Sequence, residues 1–427
     1  MDVVIESCQK LAGVLSVPPS KSYSQRALAA SFLIPTLEIL NLGKSTDELS
    51  VLDIIKSTEA ELVWREETHL VVHSSFDFTK DVTIHCHESG LCARLFLGLM
   101  LLNKGKTLVE GTGSLLHRPM NSLYPVFDQL GLAYQGQQNH LPITYHGNRR
   151  AIDLEIDGSI SSQFISGLLY YLVGLNHQQV LRLGIKNLKS KPYLDMTIDL
   201  LRGLGASIDW IDGGLQISPS ILKSKASILV EGDWSSAAFW IVAAAISGDI
   251  ALQGLNPNSL QADLKILDIV KEFGAQLNWE KGSLSIQSNR HRPFTADLRD
   301  APDLAPILAV LAIFAEGESK LMGVNRLIHK ESNRLSGILN WLESLQIHYS
   351  LEENNLMIFG KSKLNLAVER VNDIEFESNG DHRMAMAASV LALFLMGGKL
   401  KGCETVQKSY PDFYPDLEKL GGLYVLK

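Results

Sequence analysis

Two long apolar runs dominate the hydrophobic pattern of this 427-residue chain. The segments 237–246 (AAFWIVAAAI) and 304–315 (LAPILAVLAIFA) have no polar face, which predicts helices that are buried on all sides. Both runs are shorter than the roughly 20 residues that a membrane span requires. We therefore expect core helices, and a cytoplasmic protein with no membrane partner.

A second pattern recurs six times: a helical stretch that closes on leucine and glycine, or another small residue, is followed by a short alternating strand. Leu277 and Trp279 alternate with polar residues, which predicts a strand with one buried face. Glycine at the end of a helix favours the left-handed conformation that ends many helices. The spacing of about 70 residues predicts six subdomain units, and the length predicts two domains. The residues at the glycine position are Glu59, Gly131, Gly205, Gly274, Ser344 and Gly421.

The composition limits the classes of partner. A hydrophobic content of 46% and a charged content of 20% are typical of a folded globular protein. The net charge of −8 argues against a nucleic-acid binder, which would carry a basic surplus. The four cysteines have no metal-ligand spacing, so we expect reduced thiols and no metal site. Any cationic site must be a local concentration of charge.

Polar residues stand directly ahead of several apolar helices. In SVPPSKSYSQRALAASFL (16–33), Ser20 or Ser22 can cap the helix, and Lys21 and Arg26 lie near its start. Similar polar starts occur at 161–163, 190–193 and 233–236. Each is an ordinary N-cap when taken alone, but together they suggest that several helix N-termini form one anion-binding site.

The remaining cations are clustered with acids. In HKESNRL (329–335), Lys330 and Arg334 are four residues apart, which predicts that both lie on one helical face with Glu331 beside them. The alternative is an ordinary surface ion pair. Asp303 stands just ahead of the apolar run 304–315, where it is either a helix cap or a general base.

Seven stretches resemble one family when they are read in order: PPSKSYSQRAL, SSQF, SKPYLDMT, EGDWSSA, KESNR, DHRMAM and KSYPDF. They are similar to the motifs of 5-enolpyruvylshikimate-3-phosphate synthases. The resemblance implies an inside-out α/β fold with two domains, each built from three βαβαββ repeats. The domains would be residues 19–230 and residues 1–18 with 231–427, and the active site would lie in the cleft between them.

The resemblance also implies a reaction. The family transfers the enolpyruvyl group of phosphoenolpyruvate to the 5-hydroxyl of shikimate 3-phosphate and releases phosphate, without a metal or an organic cofactor. We expect a monomer whose only partners are these two small molecules. The implied catalytic residues are Lys21, Asp303 and Glu331. The implied shikimate 3-phosphate ligands are Ser22, Arg26, Ser161, Ser162, Gln163, Ser190, Tyr193 and Lys330. The implied phosphoenolpyruvate ligands are Gly90, Arg118, Arg334, Arg383 and Lys408.

The chain departs from the family pattern at several positions near these residues. Glu88 and Leu91 stand where asparagine and threonine are usual, and Leu91 removes a hydroxyl near the expected phosphoenolpyruvate site. Ile328, Asn333 and Gln25 are further departures. Their effects on affinity, rate and sensitivity to glyphosate do not follow from the sequence.

Two other functions remain as alternatives. One is a related transferase that acts on UDP-N-acetylglucosamine, although residues 111–120 contain neither the cysteine nor the aspartate that its mobile loop typically carries. The other is a binding protein that has lost catalysis.

Overall fold

A computed structural model describes residues 1–137, 139–361 and 375–427 of the chain. The chain divides into two compact units. One unit is Pro19–Val230, and the other combines Met1–Pro18 with Glu231–Lys427. The second unit is therefore discontinuous in sequence.

The 19–230 unit contains six α-helices and twelve strands within its described residues. Its helices are α1 (Lys21–Ala30), α2 (Thr46–Lys56), α3 (Gly90–Leu99), α4 (Tyr124–Leu130), α5 (Ser162–Gly174) and α6 (Lys191–Gly203). Its strands are β3 (Thr36–Leu40), β4 (Glu61–Glu66), β5 (His69–His73), β6 (Val82–His85), β7 (Lys106–Glu110), β8 (Tyr134–Gln137), β9 (His140–His146), β10 (Leu154–Asp157), β11 (Leu181–Lys186), β12 (Ser207–Ile211), β13 (Gly214–Ser218) and β14 (Lys225–Leu229).

The discontinuous unit has the same number of each element among its described residues. Its helices are α7 (Trp234–Ser247), α8 (Ile266–Phe273), α9 (Ala305–Ile313), α10 (Arg334–Ser344), α11 (His382–Phe394) and α12 (Phe413–Lys419). Its strands are β1 (Asp2–Ile5), β2 (Leu11–Ser16), β15 (Gly248–Gln253), β16 (Gln276–Glu280), β17 (Ser283–Gln287), β18 (Thr295–Asp297), β19 (Gly317–Met322), β20 (Tyr349–Glu352), β21 (Asn355–Gly360), β22 (Glu375–Glu377), β23 (Gly398–Lys401) and β24 (Tyr424–Leu426).

The described strands form six four-stranded sheets with one shared topology. In the sheet β10–β11–β13–β12, the first pair is parallel and the other two pairs are antiparallel. With helices α5 and α6, this sheet makes a βαβαββ repeat in chain order. Three repeats are closed by distant segments, since β14 pairs with β3, β2 pairs with β15, and β1 pairs with β23 and β24. The predicted fold class, built from six α/β repeats, is confirmed.

Two helices of the discontinuous unit are buried along almost their whole length. Every residue of α9 is buried, as is every residue of α7 except the last, Ser247. The two apolar runs of the sequence therefore form core helices, as predicted. Among the described residues, no helix has both the length and the apolar character needed to span a membrane.

The strand and glycine predictions are largely correct. Gly131, Gly205 and Gly274 follow their helices with φ values of 69°, 105° and 117°, in the range that favours glycine. The prediction that Trp279 faces the core is wrong, because its exposed fraction is 36%. Trp279 lies on β16, an edge strand of its sheet, which has a neighbouring strand on one side only. Its side chain therefore remains partly exposed at the sheet edge.

Helices α3 and α5 cross at two glycines. A Cβ atom on Gly98 would lie 2.4 Å from the carbonyl carbon of Gly167, and a Cβ on Gly167 would lie 2.6 Å from the carbonyl oxygen of Leu95. Both distances are far below van der Waals contact, so the helix backbones touch directly only because both side chains are absent.

This close approach predicts that Gly98→Ala destabilises the protein. Separating two packed helices should cost about 2 kcal/mol of the free energy of unfolding, measured by urea unfolding monitored by circular dichroism. Gly203→Ala at the end of α6 is the matched control, because a Cβ there meets nothing within 4 Å. Equal stabilities for the two variants would contradict the interpretation of the crossing.

Candidate active site

Three helices of the 19–230 unit begin with serine caps. Ser20, Ser89 and Ser161 each accept a hydrogen bond from a backbone N–H in the first turn of α1, α3 and α5. The other N–H groups of these first turns have no partner within the helix, which favours anions near the helix starts. The Ser89 hydroxyl donates to Gln25 Oε1 at 3.2 Å, so the starts of α1 and α3 are in contact.

A buried arginine, Arg118, and a partly buried one, Arg94, lie near the start of α3. Arg118 packs against Gly90 so closely that a Cβ there would lie 2.7 Å from Arg118 Nη1. Arg94 donates to Gln163 Oε1 at 3.0 Å. Burial, with a smaller effect of the Arg118 charge, lowers the pKa of Arg94 to about 9. The Nε atoms of both arginines are buried without a hydrogen-bond partner among the described residues, as expected of donors that await an anion.

Lys21 is the first residue of α1 and is nearly buried. Its Nζ lies 3.0 Å from Asp47 Oδ2 at the start of α2, and both side chains are about one-tenth exposed. This ion pair holds the ammonium group at the start of α1, the helix that Gln25 joins to the start of α3. We call Lys21, Gly90, Arg94, Arg118 and Gln163 the first cluster.

Arg26 joins α1 to α6 beneath the surface. Its guanidinium donates to Thr197 Oγ1 at 2.8 Å and to the carbonyls of Ser22 and Tyr193 at 2.8 and 3.1 Å. Arg26 is only 1% exposed, so it supports Ser22 and Tyr193 from the interior of the protein. Ser190 precedes α6 in the left-handed conformation, with φ of 55°. Ser162 is buried in the first turn of α5.

The discontinuous unit contains a second cluster centred on Asp303. Its carboxylate lies 2.7 Å from Arg334 Nη1, 3.4 Å from Lys330 Nζ and 3.3 Å from Arg383 Nη2. Burial alone would raise the pKa of Asp303, but these three cations hold it well below its ordinary value. Asp303 makes no helix-capping hydrogen bond, so the cap interpretation fails.

Arg334 is buried between two carboxylates. It is 2% exposed, and its Nε and Nη2 donate to Asp381 at 2.7 and 3.3 Å while Nη1 binds Asp303. Asp381 is fully buried and caps α11 by accepting from the Arg383 N–H at 2.9 Å. The second cluster therefore consists of Asp303, Lys330, Arg334, Asp381 and Arg383.

Glu331 and His382 border the second cluster. Glu331 Oε2 lies 2.8 Å from His382 Nδ1. With Asp381 they offer three ligand atoms within 4.8 Å of one another. The Asp381 oxygens already accept hydrogen bonds from Arg334 and the Arg383 N–H, so we interpret Glu331 and His382 as a hydrogen-bonded pair beside the cluster and not as part of a metal centre.

The predicted helical face of Lys330, Glu331 and Arg334 is wrong. Helix α10 begins only at Arg334, while Lys330 and Glu331 belong to the preceding loop. Lys330 and Arg334 still meet at Asp303, because the loop brings Lys330 back to it. Burial lowers the pKa of Lys330 to about 8. Lys408 Nζ donates to the Gly380 carbonyl at 2.9 Å, close to the start of α11.

The departures from the family pattern have clear local consequences. Leu91 is 7% exposed in the first turn of α3. Asn333 caps α10 by accepting from the Ser336 N–H at 3.1 Å, and Gln25 is fully buried against Ser89. Ile328 is 42% exposed. Asn333 and Gln25 thus fill structural roles.

Sequence reasoning left Arg94 and Asp47 out of the candidate site. Arg94 follows Gly90 by four residues, which places both on one face of α3 and was a usable signal. Asp47 had no such signal, because its meeting with Lys21 depends on how α2 packs against α1.

The whole chain matches known proteins of one family. The family model for EPSP synthase (3-phosphoshikimate 1-carboxyvinyltransferase) matches residues 5–417. A 3-phosphoshikimate 1-carboxyvinyltransferase from Clostridium acetobutylicum is 34% identical, with 96% of each chain covered. One from Methanocorpusculum labreanum is 33% identical, with 98% of each covered. The chain belongs to the EPSP synthase (3-phosphoshikimate 1-carboxyvinyltransferase) family.

Solved structures share the fold. An EPSP synthase from Acinetobacter baumannii matches 100% of both chains with a TM-score of 0.81 and 23% identity. An enolpyruvyl transferase from Streptomyces tendae matches 99% of this chain and 98% of its own, with a TM-score of 0.77 and 16% identity. The fold alone therefore does not identify the acceptor substrate.

The second cluster predicts that Asp381→Asn destabilises the protein in a pH-dependent way. Asparagine keeps the helix cap but leaves buried Arg334 without its main counter-charge, which should cost about 3 kcal/mol of the free energy of unfolding near pH 7. The Arg334 charge lowers the pKa of Asp381 although burial opposes it. The native advantage is therefore complete above the unfolded pKa near 4 and is lost as the pH falls through the native value.

Urea unfolding of wild type and Asp381→Asn between pH 3 and pH 7 measures this difference. Glu155→Gln is the control, because Glu155 pairs with Lys186 on the exposed surface, and it should change stability little. A stability difference that does not narrow towards pH 3 would contradict the charge-pairing account.

Proposed function

We propose that this protein transfers the enolpyruvyl group of phosphoenolpyruvate to the 5-hydroxyl of shikimate 3-phosphate and releases phosphate. One observation carries the proposal: in a chain that matches the EPSP synthase family over residues 5–417, three cations surround the carboxylate of Asp303. Both proposed substrates carry a phosphate and a carboxylate, so their binding requires such concentrated positive charge.

Both clusters serve the same pair of substrates in this proposal. Phosphoenolpyruvate binds Arg118 beside Gly90 and also engages Arg334, Arg383 and Lys408. Shikimate 3-phosphate binds Ser161, Ser162 and Gln163 at the start of α5, Ser190 and Tyr193 at α6, and Lys330. The unpartnered Nε atoms of Arg94 and Arg118 support an anion site in the first cluster. We further propose that the protein acts as a monomer in the cytoplasm.

Arg26 has an indirect share in this binding. Its guanidinium donates hydrogen bonds to Thr197 and to the backbone carbonyls of Ser22 and Tyr193. Arg26 therefore keeps Ser22 and Tyr193 oriented toward shikimate 3-phosphate. Its positive charge, buried beneath these residues, also attracts the anionic substrate.

The reaction proceeds by addition and elimination. The 5-hydroxyl loses its proton to Asp303 while its oxygen attacks the central carbon of phosphoenolpyruvate, and the methylene carbon takes a proton from Glu331. The tetrahedral product then returns a proton from its methyl group to Glu331, the double bond re-forms, and the carbon–oxygen bond to phosphate breaks as the leaving phosphate takes up the proton held by Asp303. The ammonium group of Lys21 shuttles protons and balances the charge of the leaving phosphate.

The low pKa of Asp303 determines when it acts as a base. In the protein alone, three cations stabilise its ionised form and make it weakly basic. Anionic substrates that engage Arg334, Arg383 and Lys330 compensate these charges, so the proton affinity of Asp303 rises when the substrates are bound. Catalysis is thereby coupled to occupancy of the site.

Phosphate release from phosphoenolpyruvate tests the function. Purified protein is assayed in parallel with shikimate 3-phosphate and with UDP-N-acetylglucosamine as acceptor. We expect release with shikimate 3-phosphate alone. Release only with the nucleotide sugar would replace the proposed acceptor, and binding of shikimate 3-phosphate without any release would establish the alternative of a binding protein.

Asp303→Ala tests the proposed base. Loss of a general base should lower kcat by about 10² to 10⁴ while the KM for shikimate 3-phosphate changes only a few-fold. The exposed neighbour Asp300→Ala is the matched control and should retain wild-type kcat. Near-normal turnover of Asp303→Ala would remove this residue from the mechanism.

A further inference from the structure

Glu48 is a buried acid next to the first cluster that the proposed reaction does not use. Its exposed fraction is 2%, and it lies in the first turn of α2. Glu48 Oε2 accepts a hydrogen bond from the Ser45 N–H at 2.8 Å and so caps the start of α2. Burying an acid costs free energy unless hydrogen bonds or an opposite charge replace its contacts with water.

The carboxyl of Glu48 is enclosed on the side of Gly43. A Cβ atom on Gly43 would lie 2.1 Å from Glu48 Oε1 and 2.4 Å from Oε2. The N–H of Gly43 points to Ser24 Oγ at 3.5 Å. Ser24 follows Lys21 by three residues on α1, so the Glu48 carboxyl and the Lys21 side chain share one corner between α1 and α2.

Asp47 connects Glu48 to Lys21. Asp47 is the residue before Glu48 in the first turn of α2, and its Oδ2 holds Lys21 Nζ at 3.0 Å. The cap that Glu48 completes fixes the backbone from which Asp47 projects. We propose that Glu48 is a positioning residue for Lys21: it fixes the helix turn that carries Asp47, and its charge state determines how tightly the Lys21 ammonium is held.

The electrostatic surroundings make this charge state variable near neutrality. Burial raises the pKa of Glu48 to about 7, although contacts with Ser24 and Ser45 and the charge of Lys21 oppose the rise. The titratable groups around it are Lys21 on α1 and Asp47 on α2, with the buried Cys92 thiol of α3 beyond Asp47. His87, after β6, faces Asp53 further along α2.

The inference rests on the proposed function, because only that function gives Lys21 a role with substrate. The experiment therefore measures Lys21 without turnover. Trace acetylation of the folded protein with acetic anhydride from pH 6 to pH 9, followed by peptide mass spectrometry, gives the reactivity of Lys21 relative to exposed Lys271.

Glu48→Gln keeps an oxygen for the Ser45 N–H and removes the charge. At pH 8 we expect about threefold greater labelling of Lys21 in this variant than in wild type, because one negative charge that holds the ammonium is gone. At pH 6 the two proteins should label alike. Asp53→Asn on the same helix is the control and should match wild type throughout. Identical labelling of Glu48→Gln and wild type at every pH would overturn the inference.

Glu48→Ala tests the positioning through the helix cap. Without an acceptor for the Ser45 N–H, the start of α2 loosens, and kcat/KM for phosphoenolpyruvate should fall about tenfold. Glu48→Gln should restore it at pH 6. A lower melting temperature of Glu48→Ala with unchanged kcat/KM per folded molecule would show a structural role alone. Absence of turnover in wild type would instead reject the proposed function, while labelling still decides the role of Glu48.

Discussion

The ion pairs of buried Arg334 constrain the whole second cluster. A guanidinium that is 2% exposed requires counter-charge, and Asp303 and Asp381 supply it through three hydrogen bonds. Asp381 also caps α11, so the same carboxylate fixes the start of a core helix and the position of Arg383. The geometry of the proposed active site and the stability of the fold therefore depend on the same contacts.

The repeated architecture explains why polar groups gather at the ends of apolar helices. Core helices such as α5, α7 and α11 are buried along their sides by other elements. Polar side chains therefore collect at their N-terminal ends. Buried ends need caps, and the caps Ser161, Asp233 and Asp381 meet this need. The same N-termini favour anions, so one structural requirement also produces an anion-binding surface in each unit.

The sequence predicted the repeats, the buried helices and most of the polar helix starts, because these features follow from local periodicity and capping. It could not predict that Lys330 lies outside α10, since a loop and not a helical turn brings this residue to Asp303. Pairings between distant elements, such as Lys21 with Asp47 or Arg334 with Asp381, depend on packing and have no local signal. The pattern Ser45-x-x-Glu48 is, by contrast, a local capping signature that can be recognised in the sequence.

The most direct test of the proposed chemistry follows the methylene hydrogens of phosphoenolpyruvate. Addition converts the methylene group into a methyl group by taking one proton from Glu331, and elimination removes one of its three hydrogens. The reaction is run in D₂O with shikimate 3-phosphate, and the vinyl group of the product is analysed by mass spectrometry and proton NMR. The account predicts deuterium in that vinyl group. A product that retains only the original hydrogens would contradict addition and elimination through a tetrahedral intermediate.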